Sequence, residues 1–355
     1  MGESSHEIYY LRLFDSAGFY EKRQLPEKVR VIEWNYGKFS QNEPEHLLAL
    51  MPEFNAVLEN IKPDLIHAGP IQSCAFIAAL SGFHPFLAMS WGSDLLLHSE
   101  ESPLMRWVTS FVLNQMDFFL CDCDAVSEKA GKFAQVDKEQ VIEFPWGIEL
   151  DRFYREPERG QRLLEKLGWY DCIIVLSNRS WEPLYGIESV LKGFAEAHKQ
   201  NPRMRLFLLG DGSMRQEVDK FIESRDLNDS VYRPGVVPQK KLSAFYSASN
   251  IYLSCSFSDG TSISLLEAMA CELLIIVSDI PGNREWIKRE ENGWLVHPSN
   301  IDEIVDSLLN AARTSKEESK KMVRLNRKNI LRYANWDENV KKLLRLYKSI
   351  EGKKF

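Results

Sequence analysis

Short apolar runs alternate along the first half of the chain with longer stretches whose apolar positions recur at helical spacing. Strand-like runs occur at residues 8–14, 29–34, 65–68, 86–90, 118–121 and 141–144. Helical patterns lie between several of them, at residues 44–61, 71–80 and 102–114. Strands that alternate with helices predict parallel sheets wound by right-handed crossovers.

A second alternating series fills the rest of the chain. Its strand-like runs lie at residues 173–176, 205–209, 230–233, 251–254, 274–278 and 294–296. The two series are separated near Pro145-Trp146-Gly147, which a charged stretch at 151–160 follows. We therefore predict an α/β fold with two Rossmann-like domains that face each other across a cleft. Ligands in such folds bind beyond the carboxyl ends of the strands.

Length and composition agree with this class. A chain of 355 residues with 44% hydrophobic residues is typical of a soluble protein with two domains. No apolar run has the length of a membrane span, and the first residues do not resemble a secretory signal. Six scattered cysteines are expected to be reduced thiols, which favours a cytoplasmic location.

Charge is distributed unevenly. The net charge is −7, yet residues 313–355 carry fourteen Lys and Arg against five Asp and Glu. The acidic remainder argues against nucleic-acid binding. The basic segment has two interpretations: peripheral contact with anionic lipid at the inner membrane face, or the solvated faces of terminal helices.

The most informative loop follows the run at 251–254. A helix is predicted to open there on hydroxyl residues, and phosphate binds readily to the free N–H groups of a helix N-terminus. Asp259 and Glu267 bracket this element, and carboxylates accept hydrogen bonds from sugar hydroxyls. Glu267 alone is equally compatible with an exposed helix position. The predicted contact residues of the loop are Gly260, Thr261, Ser262 and Ile263.

Three other loops follow strands of the second series. Gly210 and Asp211 lie in a glycine turn, and Arg179 follows the first strand, where a guanidinium would suit a diphosphate. The loop with Arg233, Gly235 and Val236 can face the flat edge of a base. Each loop is a weak signal alone, but together they predict one site of nucleotide size.

These motifs resemble those of the family 4 glycosyltransferases, retaining enzymes of the GT-B fold that use nucleotide sugars. The resemblance rests on Glu267-Ala268-Met269-Ala270 and on the segments at 145–148, 278–287 and 292–296. It implies an acceptor-side domain at 1–148, a nucleotide-sugar domain at 149–330 and a helix at 331–355 that crosses back to the first domain. It also implies a hydroxyl acceptor, either glycan or lipid-linked, and neither a metal nor another cofactor.

The resemblance assigns roles to the second half. Asp259 is expected to contact hydroxyls of the donor sugar, and Glu267 to hold the ribose. Arg179 neutralises the diphosphate, helped by Thr261 and Ser262. Residues 233–236 border the base. The family mechanism is front-face attack, in which the leaving phosphate takes the proton of the acceptor.

Two segments of the first half also follow strands. Trp91, Gly92 and Ser93 are expected on the acceptor side, where Trp91 can stack on a sugar at a position that often holds histidine in the family. Asp94 either accepts a hydrogen bond from the acceptor or caps the following segment. His67 is either a catalytic group or a core histidine.

The chain departs from the family pattern in three places. Asp259 stands where glutamate is usual, which shortens the carboxylate by one methylene. Tyr185 stands where a lysine usually joins the arginine on the diphosphate. Residues 5–10 and 29–34 correspond to the second and third strands of the family, so an opening unit of about forty residues is expected to be absent.

Two functions follow from the sequence. The first is a retaining glycosyltransferase. The alternative is a catalytically weak or inactive partner subunit that retains the nucleotide-sugar pocket. An epimerase or phosphorylase on the same fold is disfavoured by the pattern at 258–270.

Overall fold

The computed structural model describes residues 6–11, 28–32 and 44–350. These residues form two compact units. One contains the described chain up to Phe144 together with the residues from Val340 onward, and the other is Pro145–Asn339.

Parallel strands form the sheets of the first unit. β1 (Ile8–Leu11) pairs with β2 (Val29–Ile32). A further sheet of the described residues has the order β3 (Ile66–Ala68), β4 (Phe86–Met89), β5 (Phe118–Cys121) and β6 (Val141–Glu143). The helices are α1 (Pro44–Leu47), α2 (Met51–Ile61), α3 (Cys74–Leu80), α4 (Ser93–Leu96), α5 (Pro103–Gln115) and α6 (Asp124–Ala130), with 3₁₀ turns at Leu48–Leu50 and His98–Glu100.

Apolar side chains on both faces explain the central strands of this sheet. Phe86, Leu87, Phe119 and Leu120 are all fully buried. A parallel strand covered on both faces is apolar at consecutive positions rather than alternately, which is the pattern of these runs. Their burial fixes the sheet and directs the loops after β3 and β4 toward one edge.

The second unit is built on a parallel sheet whose described strands have the order β12-β11-β10-β7-β8-β9. They are β7 (Ile173–Ser177), β8 (Met204–Leu209), β9 (Val231–Gly235), β10 (Ile251–Ser254), β11 (Leu274–Ser278) and β12 (Trp294–Val296). The helices are α7 (Pro157–Leu167), α8 (Ile187–Gln200), α9 (Arg215–Ser224), α10 (Gln239–Ala248), α11 (Ile263–Ala270), α12 (Pro281–Arg284), α13 (Ile301–Arg313), α14 (Lys316–Tyr333) and α15 (Trp336–Ile350), with a 3₁₀ turn at Pro183–Tyr185. From Val340 onward, α15 belongs to the first unit.

The strand order of the second unit reverses between β7 and β10. The chain builds outward from β7 through β8 to β9, then returns to place β10 on the other side of β7. Such a reversal leaves a crevice at the carboxyl ends of the two neighbouring strands. The loops after β7 and β10 therefore meet at the position where α/β sheets bind ligands.

The structure confirms the predicted strands wherever it describes them, with small differences at their ends. β9 continues through Pro234 to Gly235, which is tolerated because β9 is an edge strand. α3 begins at Cys74 rather than residue 71, since the preceding residues form a turn on the carbonyl of Pro70. The predicted runs at 12–14 and 33–34 lie outside the described residues. Every helix within the described ranges is too short or too polar to cross a membrane.

Candidate functional site

Arg179 lies in the loop after β7, and its guanidinium contacts the loop after β10. Nη2 lies 2.7 Å from Asp259 Oδ2. Nη1 donates to Ser262 Oγ at 2.8 Å and to Ser264 Oγ at 3.3 Å. The other face of the guanidinium lies over the Tyr185 ring, 4.2 Å from its centroid. The predicted residues of these two loops are therefore in contact.

The charge of Arg179 is held in a largely buried place. Its side chain is 13% exposed and that of Asp259 is 18% exposed. Burial acts to lower the pKa of Arg179, but the nearby negative charge of Asp259 opposes it and the pKa is raised overall. The guanidinium is therefore a permanent cation with one carboxylate as counter-ion. Tyr185 adds a stacked ring, not the second cation of the family pattern.

Several buried polar atoms near Arg179 have no hydrogen-bond partner among the described residues. They are Ser177 Oγ, Asn178 Oδ1 and Arg179 Nε. Buried polar groups are normally paired, by protein, water or ligand. A charged or strongly polar ligand at the end of β7 would supply an acceptor for Arg179 Nε.

The N-terminus of α11 faces the same cluster. Ser262 is the residue before its first turn and has extended backbone, but its hydroxyl accepts from Arg179 instead of capping the helix. The first N–H groups of a helix have no partner within the helix, and they carry its positive dipole end. Thr261 and Ser262 are buried, whereas Ile263 is 38% exposed. The element can thus present N–H groups and a guanidinium to one anion.

Glu267 is buried, at 5% exposure, so the interpretation of an exposed helix residue is wrong. Tyr246 Oη, on α10, donates to Glu267 Oε2 at 2.7 Å and accepts from Asn178 Nδ2 at 2.8 Å. Burial raises the pKa of Glu267 to about 7, with the Tyr246 hydrogen bond and the charge of Arg152 acting against it. This carboxyl therefore titrates near neutral pH.

One hydrogen-bond network links the two acids of the loop. Ser264 Oγ accepts from Arg179 and is bonded to Tyr252 Oη at 2.7 Å. The Ser264 carbonyl accepts from Tyr246 Oη at 3.3 Å, and Tyr246 in turn holds Glu267. The cation and the buried carboxyl are therefore positioned by the same few side chains of β7, α10, β10 and α11.

Glycines let the loops of the site approach one another closely. Gly210 has φ +124°, and a Cβ there would lie 2.6 Å from the carbonyl oxygen of Arg179. A Cβ on Gly282, at the start of α12, would lie 2.3 Å from the carbonyl oxygen of Gly260. Gly210 N also donates to the Gly235 carbonyl at 3.0 Å, which joins the loops after β8 and β9.

The side chains of two predicted site residues are bonded elsewhere. Arg233 Nε donates to Asp219 Oδ1 of α9 at 2.8 Å. Asp211 Oδ1 accepts from Arg215 Nε at 2.8 Å and from the N–H of Gly212 at 2.9 Å. At these positions the backbone, not the side chain, is left to meet a ligand. Val236 is 57% exposed beside them.

Asp94, in the first unit, is buried and its carboxylate is occupied by neighbouring donors. Oδ1 accepts from Ser90 Oγ at 2.7 Å and from Trp91 N at 3.0 Å, and Oδ2 accepts from Ile71 N at 3.0 Å. Burial raises its pKa, while these hydrogen bonds act in the opposite direction. Asp94 thus ties the loop after β3 to the loop after β4.

The other predicted residues of the first unit differ in exposure. Trp91 is 56% exposed, Gly92 has φ +94° and Ser93 begins α4. His67 Nδ1 lies 2.6 Å from Tyr347 Oη of α15, and its Nε2 is buried with no hydrogen-bond partner among the described residues. Burial lowers the pKa of His67 to about 4, so the ring is neutral at pH 7.

Sequence reasoning did not single out the tyrosines of the site. Tyr246 and Tyr252 are both fully buried, one on α10 and one on β10. A tyrosine at a core position of a helix or strand has the same sequence pattern whether or not its hydroxyl holds a site residue. The sequence likewise did not mark Asn178, the neighbour of Arg179, as a site residue.

Two family models match the chain. Residues 163–329 match the model described as glycosyl transferases group 1, and residues 15–123 match glycosyl transferase 4-like. A curated relative, alpha-monoglucosyldiacylglycerol synthase of Streptococcus pneumoniae, is 26% identical over 184 residues, which are 50% of this chain and 41% of the relative. A peptide N-acetylglucosaminyltransferase subunit, GtfA, of the same species is 31% identical over 126 residues, 35% of this chain and 24% of that protein. The chain spans less than half the length of these relatives.

Solved structures share the fold. Sucrose-phosphate synthase from Thermosynechococcus elongatus has a TM-score of 0.79 at 19% identity, over 97% of this chain and 89% of that one. The Anabaena protein HepE, solved with UDP-glucose, has a TM-score of 0.75 at 16% identity, over 91% and 86%. Pneumococcal GtfA, solved with UDP and GlcNAc, has a TM-score of 0.69 at 17% identity, over 85% and 60%.

The parallel sheets, the residues of the site and the family matches support the same assignment. Both units have parallel Rossmann-like sheets, and the two family models together match well over half of the chain. The chain belongs to the glycosyltransferase 4-like family and has the GT-B fold.

Proposed function

We propose that the protein transfers a glycosyl group from a nucleotide-diphosphate sugar to a hydroxyl acceptor, with retention of anomeric configuration. The observation that carries the proposal is the position of Arg179. Its guanidinium lies beside Ser262, the residue that precedes the first turn of α11. A cation and a helix N-terminus together suit a diphosphate.

The remaining donor contacts follow from this placement. With the diphosphate at Arg179, Thr261 and Ser262, the ribose hydroxyls donate to Glu267 and the base lies against the backbone of residues 233–236. HepE and GtfA were solved with UDP or a UDP sugar, which favours a UDP sugar as donor. Asp259 then accepts from hydroxyls of the donor sugar.

The pairing of Arg179 with Asp259 suggests how donor binding proceeds. The diphosphate takes over the guanidinium, which frees Asp259 for the sugar. In the transfer step the bond between the anomeric carbon and the phosphate oxygen breaks while the acceptor oxygen bonds to the same carbon. The acceptor proton passes to the leaving phosphate. Arg179 stabilises the negative charge that grows on that phosphate.

The acceptor is proposed to be a lipid or a glycan. The pneumococcal relative named alpha-monoglucosyldiacylglycerol synthase bears a glycolipid name, which favours a lipid-linked hydroxyl. Action at the inner face of a membrane from a cytoplasmic location belongs to the same proposal. Trp91, 56% exposed after β4, is the side chain proposed to stack on a sugar of the acceptor side.

Calorimetry with UDP, GDP and ADP sugars tests the donor assignment. We expect one nucleotide class to bind, and Glu267→Ala to weaken its binding by about 1–3 kcal/mol, the usual cost of losing a charged hydrogen bond. Glu223→Ala is the matched control, because it removes the same carboxylate from an exposed position of α9 outside the site. Unchanged affinity in a folded Glu267→Ala variant would falsify the ribose role.

Product analysis tests the activity itself. The wild-type protein should release nucleoside diphosphate in the presence of diacylglycerol or a glycosyl-lipid acceptor. Tight binding of a nucleotide sugar with neither transfer nor hydrolysis would instead identify the partner-subunit alternative.

A further inference from the structure

A groove of about 400 Å³ lies along α14 in the second unit, and none of its lining residues belongs to the candidate site. It is rich in cations and contains one carboxylate. The lining residues are Glu272, Arg324, Arg327, Lys328, Leu331 and Arg332.

The cations of this groove differ from other arginines of the same unit. Arg152, Arg215 and Arg284 each pair with a carboxylate of a nearby residue. By contrast, no ion pair joins Arg324, Arg327, Lys328 or Arg332 to any carboxylate in the described part of the chain. Four neighbouring cations on one helix repel one another, and a bound anion would relieve this repulsion.

Two arginines are held in place by backbone carbonyls. Arg327 Nη1 donates to the carbonyl of Phe153 at 3.1 Å and to that of Ala270 at 2.8 Å. Beside the groove, Arg155 Nη1 donates to the carbonyl of Glu272 at 3.2 Å. The two bonds of Arg327 fix its positive charge in the groove without neutralising it. A preorganised cation loses less entropy when it binds an anion.

Apolar side chains adjoin the cations. Leu331, which lines the groove, is 52% exposed. Tyr333 is 48% exposed, and the guanidinium of Arg332 lies 5.0 Å from its ring centroid. Exposed apolar groups beside Lys and Arg suit a ligand in which a phosphate is joined to an apolar portion.

We propose that this groove is a binding site for a phosphate group, borne by a lipid headgroup or by a free phosphate ligand. Arg324, Lys328 and Arg332 contact the phosphate. Arg327, held by backbone carbonyls, adds a fixed positive charge beside them. The site is separate from the proposed donor pocket, so its occupation does not depend on the proposed sugar transfer.

Vesicle flotation tests the lipid source. The full chain is mixed with phosphatidylcholine vesicles that contain or lack phosphatidylglycerol. The wild-type protein should bind only the anionic vesicles. The double variant Arg324→Gln, Lys328→Gln should bind about thirtyfold less, since each of the two basic residues contributes about 1 kcal/mol. The double variant Lys166→Gln, Lys220→Gln is the matched control, since these exposed lysines lie outside the groove and the charge change is the same.

Calorimetry with inorganic pyrophosphate tests the free source. Binding that is lost in the Arg324→Gln, Lys328→Gln variant and kept in Arg179→Ala would locate a phosphate site at the groove. This result without vesicle binding identifies a free phosphate ligand. UDP affinity should be the same in the groove variant and the wild type, which separates this test from that of the donor pocket.

The proposal is overturned if neither probe distinguishes the groove variant from the Lys166→Gln, Lys220→Gln control. Equal loss in both double variants would likewise overturn it, because binding would then follow net charge and not the groove. Circular dichroism of each variant ensures that a loss reflects the removed side chains.

Discussion

Tyr246 Oη donates a 2.7 Å hydrogen bond to Glu267 Oε2, and this is the contact that orients the buried carboxyl. The same hydroxyl accepts from Asn178 at the end of β7. Glu267 is therefore held by Tyr246 of α10, which Asn178 positions in turn, before any ligand arrives. A preorganised acceptor of this kind needs little rearrangement to receive a hydroxyl donor.

The raised pKa of Glu267 makes stability depend on pH. Burial lifts its pKa from the ordinary 4.5 to about 7, so the folded protein binds more protons than the unfolded chain between these values. Stability is therefore lost as the pH rises through this window. Glu267→Gln, which cannot ionise, should be about 1–3 kcal/mol more stable relative to wild type at pH 8 than at pH 5.

Urea denaturation of both proteins at pH 5 and pH 8 measures this difference. Glu223→Gln, at an exposed position of α9, is the control and should show no such change between the two pH values. A Glu267→Gln variant whose relative stability is the same at both pH values would contradict the assignment.

Arg179→Ala should depress turnover more than donor binding. The guanidinium contacts Asp259, Ser262 and Ser264, and its charge matters most when the leaving phosphate becomes more negative. We expect kcat to fall about 100-fold or more, as when one stabilising donor of a transition state is removed. Steady-state kinetics would show the split between kcat and KM, and a variant with unaltered kcat would rule out the leaving-group role.

Gly282→Ala should displace the loop after β10, which contains Gly260. The new Cβ would lie 2.3 Å from the Gly260 carbonyl oxygen, a distance that forces the backbone of one loop to move. We expect a loss of about 1–3 kcal/mol in stability, as for an overpacked core, together with weaker nucleotide binding. Gly131→Ala is the control, since its nearest neighbour would be 3.5 Å away. Thermal melts and calorimetry would register both effects, and wild-type behaviour of Gly282→Ala would argue against a tight loop contact.

Asp94→Ala should destabilise the first unit. Its removal leaves the N–H groups of Ile71 and Trp91 and the hydroxyl of Ser90 without their acceptor. The expected cost is about 1–3 kcal/mol for each buried group that stays unpaired. Denaturation curves measure it. If Asp94 served the acceptor instead, Asp94→Asn would lower turnover and leave the unfolding curve unchanged.

The strands could be predicted from the sequence because their burial on both faces requires consecutive apolar residues. β10 and β11 are apolar up to a terminal serine and buried throughout, and their bounds were predicted to the residue. The contact between Arg179 and the loop after β10 was also predictable, because parallel strands bring their carboxyl ends to one edge.

The sequence did not predict which partners the long polar side chains contact. Arg233 follows a strand, as predicted, yet its guanidinium bonds to Asp219 of α9. The carboxyl of Glu267 is bonded to Tyr246, which lies on another helix. The sequence around Glu267 does not show that this tyrosine lies next to it. Long polar side chains reach partners set by tertiary packing, and only the packed chain shows which partner is nearest.

The two-part composition of the first unit bears on the order of folding during synthesis. The second unit is one continuous stretch, Pro145–Asn339, and can fold as soon as that stretch has left the ribosome. The first unit also includes the residues from Val340 onward, where Tyr347 contacts His67. The half of the molecule that is translated first is therefore completed last, and until then β3 and its neighbours depend on their own packing.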